Sequence, residues 1–194
     1  MPDSCPTWDL TDLYEGIGDD AIAADLARCR REAERMESAW QGKIGNATPQ
    51  DLATLIADYE QVLEALGKAQ SHAQLLFAAS TTDAQIARHH QSIREASADI
   101  GARLLFVELE IAALPSDHVD RLLETAEFAA WQPWLRRVRA FAPHQLSPDM
   151  ERMLAERAPS GRGAWVRLFD ETAAGLRFPF GDAEVTEAEV LNKL

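Results

Sequence analysis

The sequence predicts an all-α protein, with a long antiparallel helical hairpin or bundle followed by shorter helices. Apolar residues recur at spacings of three and four along most of the chain, which is the period of an amphipathic helix. Two pairs that favour helix starts, Thr48-Pro49 and Thr82-Asp83, stand before the longest of these patterns. The plausible strand is LRFPF before Gly181-Asp182, so we expect at most a small β-hairpin edge near the C-terminus.

The first predicted helix is capped by Asp19 or Asp20 and ends at Gly42, which can take a left-handed conformation. A short lead-in, WDLTDLYEGIGDD, precedes it, and four apolar residues there are expected to anchor it: Trp8, Leu10, Leu13 and Tyr14. The apolar side of the helix itself consists of Ile22, Leu26, Cys29, Met36 and Trp40.

The second predicted helix starts at Thr48-Pro49 and runs to about residue 79. Its apolar side consists of Leu52, Leu55, Ile56, Tyr59, Val62, Leu63, Leu66, Leu76 and Phe77. The third runs from Thr82-Asp83 to Pro115, and its buried side consists of Ile86, Ile93, Ile100, Leu104, Leu105, Leu109 and Ile111. A short polar turn joins the two, so they should pack as an antiparallel hairpin that the first helix completes into a bundle. Poor charge patterning beside the apolar positions makes an intermolecular coiled coil the weaker interpretation.

After Pro115 the sequence becomes richer in proline, aromatic residues and arginine. We therefore divide the chain into residues 1–114, a helical bundle, and residues 115–194, a second helical region. Ser116 is expected to cap a helix with Val119, Leu122 and Leu123. Ser147-Pro148 should open another with Met150, Met153 and Leu154. Ser160 or Gly163 should open a third with Trp165, Leu168 and Phe169.

The last nine residues, TEAEVLNKL, predict one more helix. Thr186 and Glu189 form a capping box, and Val190, Leu191 and Leu194 begin an apolar side. The helix starts clearly, and the chain ends about two turns later with no stop signal. We therefore expect this chain, which begins at Met1, to be the front part of a longer protein.

The net charge of -13 argues against nucleic acid and anionic membranes as partners, because both would repel the chain. MPDSCPTWDL lacks the basic start and apolar run of a secretory signal, and no stretch has the ~20 apolar residues of a membrane span. Cys5 and Cys29 have no metal-site or redox spacing, and Cys29 reads as a small core residue. We expect a soluble cytoplasmic protein.

The residues that carry chemistry form no recognisable site. No two of the five histidines have the i, i+4 spacing that binds zinc on a helix, and neighbouring His89 and His90 point about 100° apart. The five are His72, His89, His90, His118 and His144. A hairpin could bring His72 near one of the neighbouring pair. We expect solvated or partly buried histidines, and we predict no catalytic, cofactor-binding or metal-binding residue in this chain.

Three other features are interpreted structurally. The glycines of SGRGAW allow a tight start to a helix, since the stretch lacks the spacing and lysine of a phosphate loop. A basic cluster should pair with internal acids or a separate domain, with a ligand carboxylate as the minority interpretation; it consists of Arg136, Arg137 and Arg139. Three tryptophans are expected to be packing anchors: Trp131, Trp134 and Trp165.

Five stretches occur in an order and spacing that resemble a known family. They are WDLTDLY, LLFAASTTDAQ, LLFVELEIAALP, PHQLSPDMERMLAE and GAWVRLFDE, and the last two carry the strongest likeness. Together they resemble the N-terminal portion of oligoendopeptidase F, one of the thimet-oligopeptidase-like zinc metallopeptidases. They span nearly the whole chain, and none of them is a catalytic motif.

The resemblance implies a longer, almost entirely helical enzyme with a channel between two lobes, of which this lobe limits entry to short oligopeptide substrates. Zinc would be held in a C-terminal catalytic lobe by the histidines of H-E-x-x-H and a downstream glutamate. That motif does not occur in this sequence. The resemblance therefore implies zinc in the full-length protein and none bound by this chain.

Two hypotheses follow from the sequence. The first is the non-catalytic, channel-shaping lobe of a cytoplasmic zinc oligoendopeptidase whose partner is the missing C-terminal lobe. The second is a self-standing helical interaction module without enzymatic activity. Under the first, apolar surface near Trp131, Trp134, Phe178 or Phe180 should be open to solvent or buried in a non-native dimer.

Overall fold

The computed structural model describes residues 8–192, so Cys5 and Leu194 lie outside the described residues. The helices are α1 Asp20–Trp40, α2 Pro49–Ala79, α3 Ala84–Ala113, α4 Ser116–Leu123, α5 Gln132–Phe141, α6 Pro148–Arg157, α7 Arg162–Gly175 and α8 Glu187–Leu191. Short 3-10 turns lie at Ile44–Asn46, Ala126–Trp131 and Ala142–His144, and strands β1 and β2 at Phe178–Phe180 and Ala183–Val185. Helices make up 76% of the structure, so the all-α prediction is confirmed.

Helices α2 and α3 form the predicted antiparallel hairpin, and α1 packs against both of them. The direction follows from the contacts along the pair. Phe77 stacks on His90 beside the connecting turn, and farther away the Tyr59 hydroxyl donates to Glu108 at 3.2 Å. The three helices therefore pack as the bundle that their caps and apolar sides predicted.

Side-chain caps set the starts of these three helices. Asp19 accepts from the backbone N–H of Ala21 at 2.8 Å and begins α1. Thr48 and Asp51 form a capping box at the start of α2. Asp83 accepts from the backbone at the start of α3. Each cap satisfies amide groups that a helix leaves without a partner, so the predicted starts are confirmed.

The end of α1 is held by a residue from α3. Gly42 has a φ of 76°, in the left-handed region, as predicted for the end of this helix. Its backbone N–H donates to one carboxylate oxygen of Glu110 at 2.6 Å, and the N–H of Ile44 donates to the other at 3.2 Å. One acidic side chain thus fixes the turn between α1 and α2 against α3.

The core is continuous through both predicted regions. Its fully buried residues include Met36 of α1, Leu55 of α2 and Leu104 of α3, and also Phe128 and Leu135 from beyond Pro115. Both α5 and α6 pack against α3. The division at 114/115 stays a prediction, because a shared core does not test where a sequence boundary lies.

Several expected apolar contacts differ from the structure. Trp8 is 79% exposed, so the lead-in is anchored by Tyr14, which is buried. Leu63 is 42% exposed on α2, although it follows the apolar period. Leu105 and Leu109 on α3 are only partly buried. A helix with a wide apolar side buries only the part that meets a neighbour.

The second region required three corrections. Ser116 is the first residue of α4, with Pro115 at the cap position, so it does not cap the helix through its side chain. Helix α7 starts at Arg162 with Gly161 at its cap, and neither Ser160 nor Gly163 opens it. Helix α5 was not predicted as a separate element.

The C-terminal part matches its prediction. Strands β1 and β2 pair as an antiparallel hairpin, with Phe178 opposite Val185. Gly181 at the turn has a φ of 62°, which suits a residue without a side chain. Thr186 and Glu189 form both halves of the capping box that begins α8. Among residues 8–192 no helix is sufficiently long and apolar to cross a membrane.

Candidate functional site

Helices α6 and α7 each carry an apolar stripe that the other described residues, 8–192, leave about half exposed or more. On α6 the stripe is Met150, Met153 and Leu154, and on α7 it is Trp165, Leu168 and Phe169. In both helices the residues follow the i, i+3, i+4 spacing that places side chains on one face. Neither helix contributes a buried residue to the described structure. We call these two sets the apolar stripes.

The exposure of the stripes is unusually high for such side chains. Trp165 and Phe169 are each 72% exposed and Leu168 is 52% exposed, while the three residues on α6 are about half exposed. Helices of ten to fourteen residues are marginal in water, and packing of an apolar face normally stabilises them. The expectation that Trp165 is a packing anchor is wrong for this chain.

Polar contacts attach α6 and α7 to the bundle and leave the stripes uncovered. Arg152 of α6 lies 3.6 Å from Glu37 of α1, and the same carboxylate accepts from Arg103 of α3 at 3.0 Å. Arg167 of α7 donates to the side-chain amide oxygen of Gln91 on α3. Because these contacts use polar side chains, the apolar residues of both helices remain available.

The hairpin adds further apolar surface. Phe178 is 36% exposed and Phe180 is 37% exposed, so the expectation of open apolar surface near these two residues is confirmed. Trp131 and Trp134 are partly buried against the core. The Trp131 indole N–H donates to Glu60 at 3.1 Å, and Trp134 lies with its ring 5.9 Å from that of Tyr59. These two tryptophans are packing anchors, as predicted.

Three of the five histidines meet between α2 and α3. The rings of His72 and His89 lie 6.2 Å apart, so the hairpin does bring His72 near the neighbouring pair. Tyr14 contacts His72 edge to face at 5.3 Å, and His90 stacks on Phe77. His118 is partly buried on α4, and His144 is exposed at the end of a 3-10 turn.

The imidazoles of His72, His89 and His90 lie among buried residues, and each has one ring nitrogen without a hydrogen-bond partner among the described residues. Burial lowers the pKa of His72, His89 and His90, and in His90 the nearby Arg94 and Arg167 lower the pKa further. Nδ1 of His72, Nε2 of His89 and Nδ1 of His90 have no hydrogen-bond partner within residues 8–192. The arrangement favours neutral histidines at neutral pH.

The described residues do not fit a zinc site. Catalytic zinc needs three protein ligands, and no group of three His, Cys, Asp or Glu side chains within residues 8–192 is arranged to hold a metal ion. The carboxylate of Asp19, which lies near His72, already accepts from the backbone N–H groups of Ala21 and Glu15.

The basic cluster has an unexpected partner. Arg139 donates through Nη1 to the carbonyl oxygens of Ala112, at 2.8 Å, and Leu114, and through Nη2 to the Ser116 hydroxyl at 2.7 Å. It therefore caps the C-terminal end of α3, where carbonyl groups lack helical partners. Arg136 and Arg137 are exposed and form no ion pair among the described residues, so no internal acid of residues 8–192 pairs with them, and pairing with a separate domain stays a prediction.

Gly163 and Cys29 both lie where their small size matters for packing. In SGRGAW, a Cβ atom on Gly163 would overlap the guanidinium of Arg94, so this glycine allows a close approach at the start of α7. Cys29 is buried, its thiol lies 3.8 Å from the carbonyl of Val62, and burial raises its pKa. Cys29 is a core residue, as predicted.

Comparison with known proteins gives one match. Residues 110–178, roughly a third of the chain, match the family model described as Oligopeptidase F, an N-terminal region of the M3 peptidases. The matched stretch starts in the last turn of α3 and includes α4 to α7. No curated protein and no solved structure matched the chain. The resemblance predicted from the sequence is thus confirmed for residues 110–178, which are similar to the N-terminal region of oligopeptidase F.

Proposed function

We propose that this chain is the non-catalytic N-terminal lobe of a zinc-dependent oligoendopeptidase, where it shapes the channel that admits short peptides. One observation carries the proposal: both apolar stripes lie inside the segment that matches the oligopeptidase F family. Among residues 8–192, the two helices whose apolar stripes are exposed therefore both belong to the matched segment. The position of the stripes inside the matched segment supports a catalytic lobe as the partner that covers them.

The composition of the stripes suits a protein interface. Aromatic residues and methionine are enriched at the cores of interfaces, and charged residues are depleted there. Full burial of a large apolar side chain contributes about 1.5–3 kcal/mol, so covering Trp165, Leu168 and Phe169 would contribute several kcal/mol. This stabilisation is large enough to hold α7 in a two-lobed enzyme.

Zinc enters the proposal only through the family, whose members depend on it. The described residues do not fit a zinc site. The metal, and the water that it would activate, would accordingly belong to the catalytic lobe. The role of this chain is then to exclude large substrates and to position short ones. The cytoplasmic location expected from the sequence stays a prediction.

Peptide cleavage and zinc content test the proposal directly. The chain of residues 1–194 and a chain extended to include H-E-x-x-H would be compared with a quenched fluorescent peptide and by elemental analysis. We expect about one zinc per extended chain, cleavage by that chain only, and loss of cleavage with a chelator. Chelator-sensitive cleavage by residues 1–194 alone would refute the proposal.

The role of the stripes requires a matched pair of variants in the extended chain. Replacing Trp165 and Phe169 with serine should lower its melting temperature and its activity, because an aromatic residue lost from a buried site costs about 3–5 kcal/mol. Phe141→Ser is the control, since Phe141 is 61% exposed and lies outside the stripes. Equal effects of the two variants would show that the stripes are ordinary surface.

A self-standing interaction module is the second candidate, because the same exposed stripes could receive a separate protein. It predicts that residues 1–194 alone retain a partner in a pull-down experiment and that the serine variant at Trp165 and Phe169 loses it. Sequencing the reading frame after codon 194 separates the candidates. A continuing frame with the zinc motif favours the lobe, and an immediate stop codon favours the module.

A further inference from the structure

A cavity of about 290 Å³ lies between α2, α3 and α7, and its lining is basic although the protein is acidic. Arg94 comes from α3, and Arg162 and Arg167 come from α7. Asp170 is the acid in the same lining, so three guanidinium groups meet one carboxylate. In a chain of net charge -13, such an excess of positive charge at one cavity is contrary to the overall composition.

The arginines are incompletely neutralised. Within residues 8–192, neither Arg94 nor Arg162 forms an ion pair. Arg167 lies 3.6 Å from Glu171, one turn along α7, and also donates to Gln91. Guanidinium groups that share a half-enclosed site repel one another, and an anion between them would relieve that repulsion.

A buried histidine also lines the cavity. His90 is 5% exposed and lines the cavity, and its Nδ1 makes no hydrogen bond among the described residues. Its ring stacks on Phe77, with centroids 4.8 Å apart. The His90 imidazole therefore forms part of the buried wall of the cavity, beside the arginines.

The shape of the site points to one end of a small molecule. Gly163 lets the guanidinium of Arg94 lie against the start of α7, where any larger residue would displace it. Phe77 and Val166 supply apolar wall. A neighbouring cavity of about 410 Å³ shares Gln74, His90 and Arg94 with the first and offers room for the rest of the ligand.

We propose that this cavity binds the carboxylate of a small ligand or of a peptide C-terminus, with Arg94 and Arg162 as its main partners. Arginine matches a carboxylate with two parallel hydrogen bonds, which favours this class over a spherical anion. The peptide source rests on the proposed function, since a channel lobe would meet free C-termini. The carboxylate site itself stands on the residues described above.

Calorimetry on residues 1–194 tests the site with two probes, N-acetylated tetra-alanine as the free acid and as the amide. We expect the acid to bind at least tenfold more tightly than the amide. Arg94→Gln and Arg162→Gln should each weaken the acid about tenfold or more, and Arg136→Gln, on exposed surface of α5, should not. Circular dichroism verifies folding, and Arg162 is itself exposed, so at least that variant remains informative.

Two further measurements identify the ligand. Acetate that displaces the peptide acid fully indicates a small carboxylate as the source, and failure of acetate to compete indicates a peptide C-terminus. Binding should also raise the pKa of His90 in an NMR titration, because a nearby anion favours the protonated imidazole.

Three results would overturn the inference. They are equal binding of acid and amide, no binding of the acid at millimolar concentration, and phosphate binding more than tenfold tighter than the acid. None of these results bears on zinc content or cleavage by the extended chain, so failure of the site and failure of the proposed function can be told apart.

Discussion

A matched pair of leucine substitutions tests whether α7 is really uncovered. Leu135 of α5 is 0% exposed and belongs to the core, whereas Leu168 of α7 is 52% exposed and belongs to an apolar stripe. Both lie in helices of the matched family segment. Leu135→Ala and Leu168→Ala delete the same atoms from two different surroundings.

The expected costs differ severalfold. Leu135→Ala removes a fully packed side chain and leaves a cavity, which costs about 2–5 kcal/mol of unfolding free energy. Leu168→Ala removes a side chain that already meets water over half its surface. Surface changes of this kind alter stability by roughly 0.5 kcal/mol, and the high helix propensity of alanine offsets part of any loss.

Urea unfolding followed by far-ultraviolet circular dichroism measures both costs. In thermal melts, a domain of this size shifts by about 2–4 °C for each kcal/mol, so the two variants should separate clearly. Each measurement is repeated at low and high protein concentration. A loss for Leu168→Ala that appears only at high concentration would reveal a dimer through the stripes.

Two results would refute the reasoning. If Leu168→Ala costs as much as Leu135→Ala at low concentration, α7 is packed within this chain and the stripes are not an interface. If Leu135→Ala costs less than about 1 kcal/mol, α5 is not part of the core.

Three further predictions concern stability. Thr48→Ala should cost about 1 kcal/mol in urea unfolding, because the capping box of α2 is lost, and a cost near zero would contradict that role. Arg139→Lys should lower the free energy of unfolding by about 1–3 kcal/mol, because lysine cannot keep all the hydrogen bonds that Arg139 makes at the end of α3. Arg136→Lys is the control and should leave stability unchanged. Equal losses in the two variants would count against the capping of α3. Burial lowers the pKa of His72, so below the ordinary histidine pKa of about 6.5 the unfolded chain binds more protons than the folded one. The protein should therefore be most stable near neutral pH, and its free energy of unfolding should fall as the pH is lowered through this range. In His72→Phe the free energy of unfolding should fall less steeply with pH. If the substitution leaves that slope unchanged, His72 is not a cause of the pH dependence.

The bundle was predictable because its signals are local. Asp19, Thr48 and Asp83 stand where each of the first three helices must satisfy its free amides, and Gly42 stands where one must stop. The signals for α5 were present and were missed. Pro133 sits in its first turn, and Leu135 and Val138 follow at helical spacing, both buried.

The basic cavity could not be found from the sequence, because its residues come from three separate helices. Arg94 and Arg162 are 68 positions apart and meet only because α7 packs beside the α2–α3 hairpin. The capping of α3 by Arg139 depends likewise on tertiary packing. No pattern within one helix indicates such partners.

The sequence by itself determined where α1, α2, α3 and α8 begin and which residues share a face, because caps and helical period act over a few residues. Only the tertiary structure decided which faces are covered. Leu52, Leu55 and Ile56 follow the same spacing as Trp165, Leu168 and Phe169, yet the first three are buried and the last three are exposed. The difference lies in the neighbours, because burial depends on what the rest of the fold brings to a face.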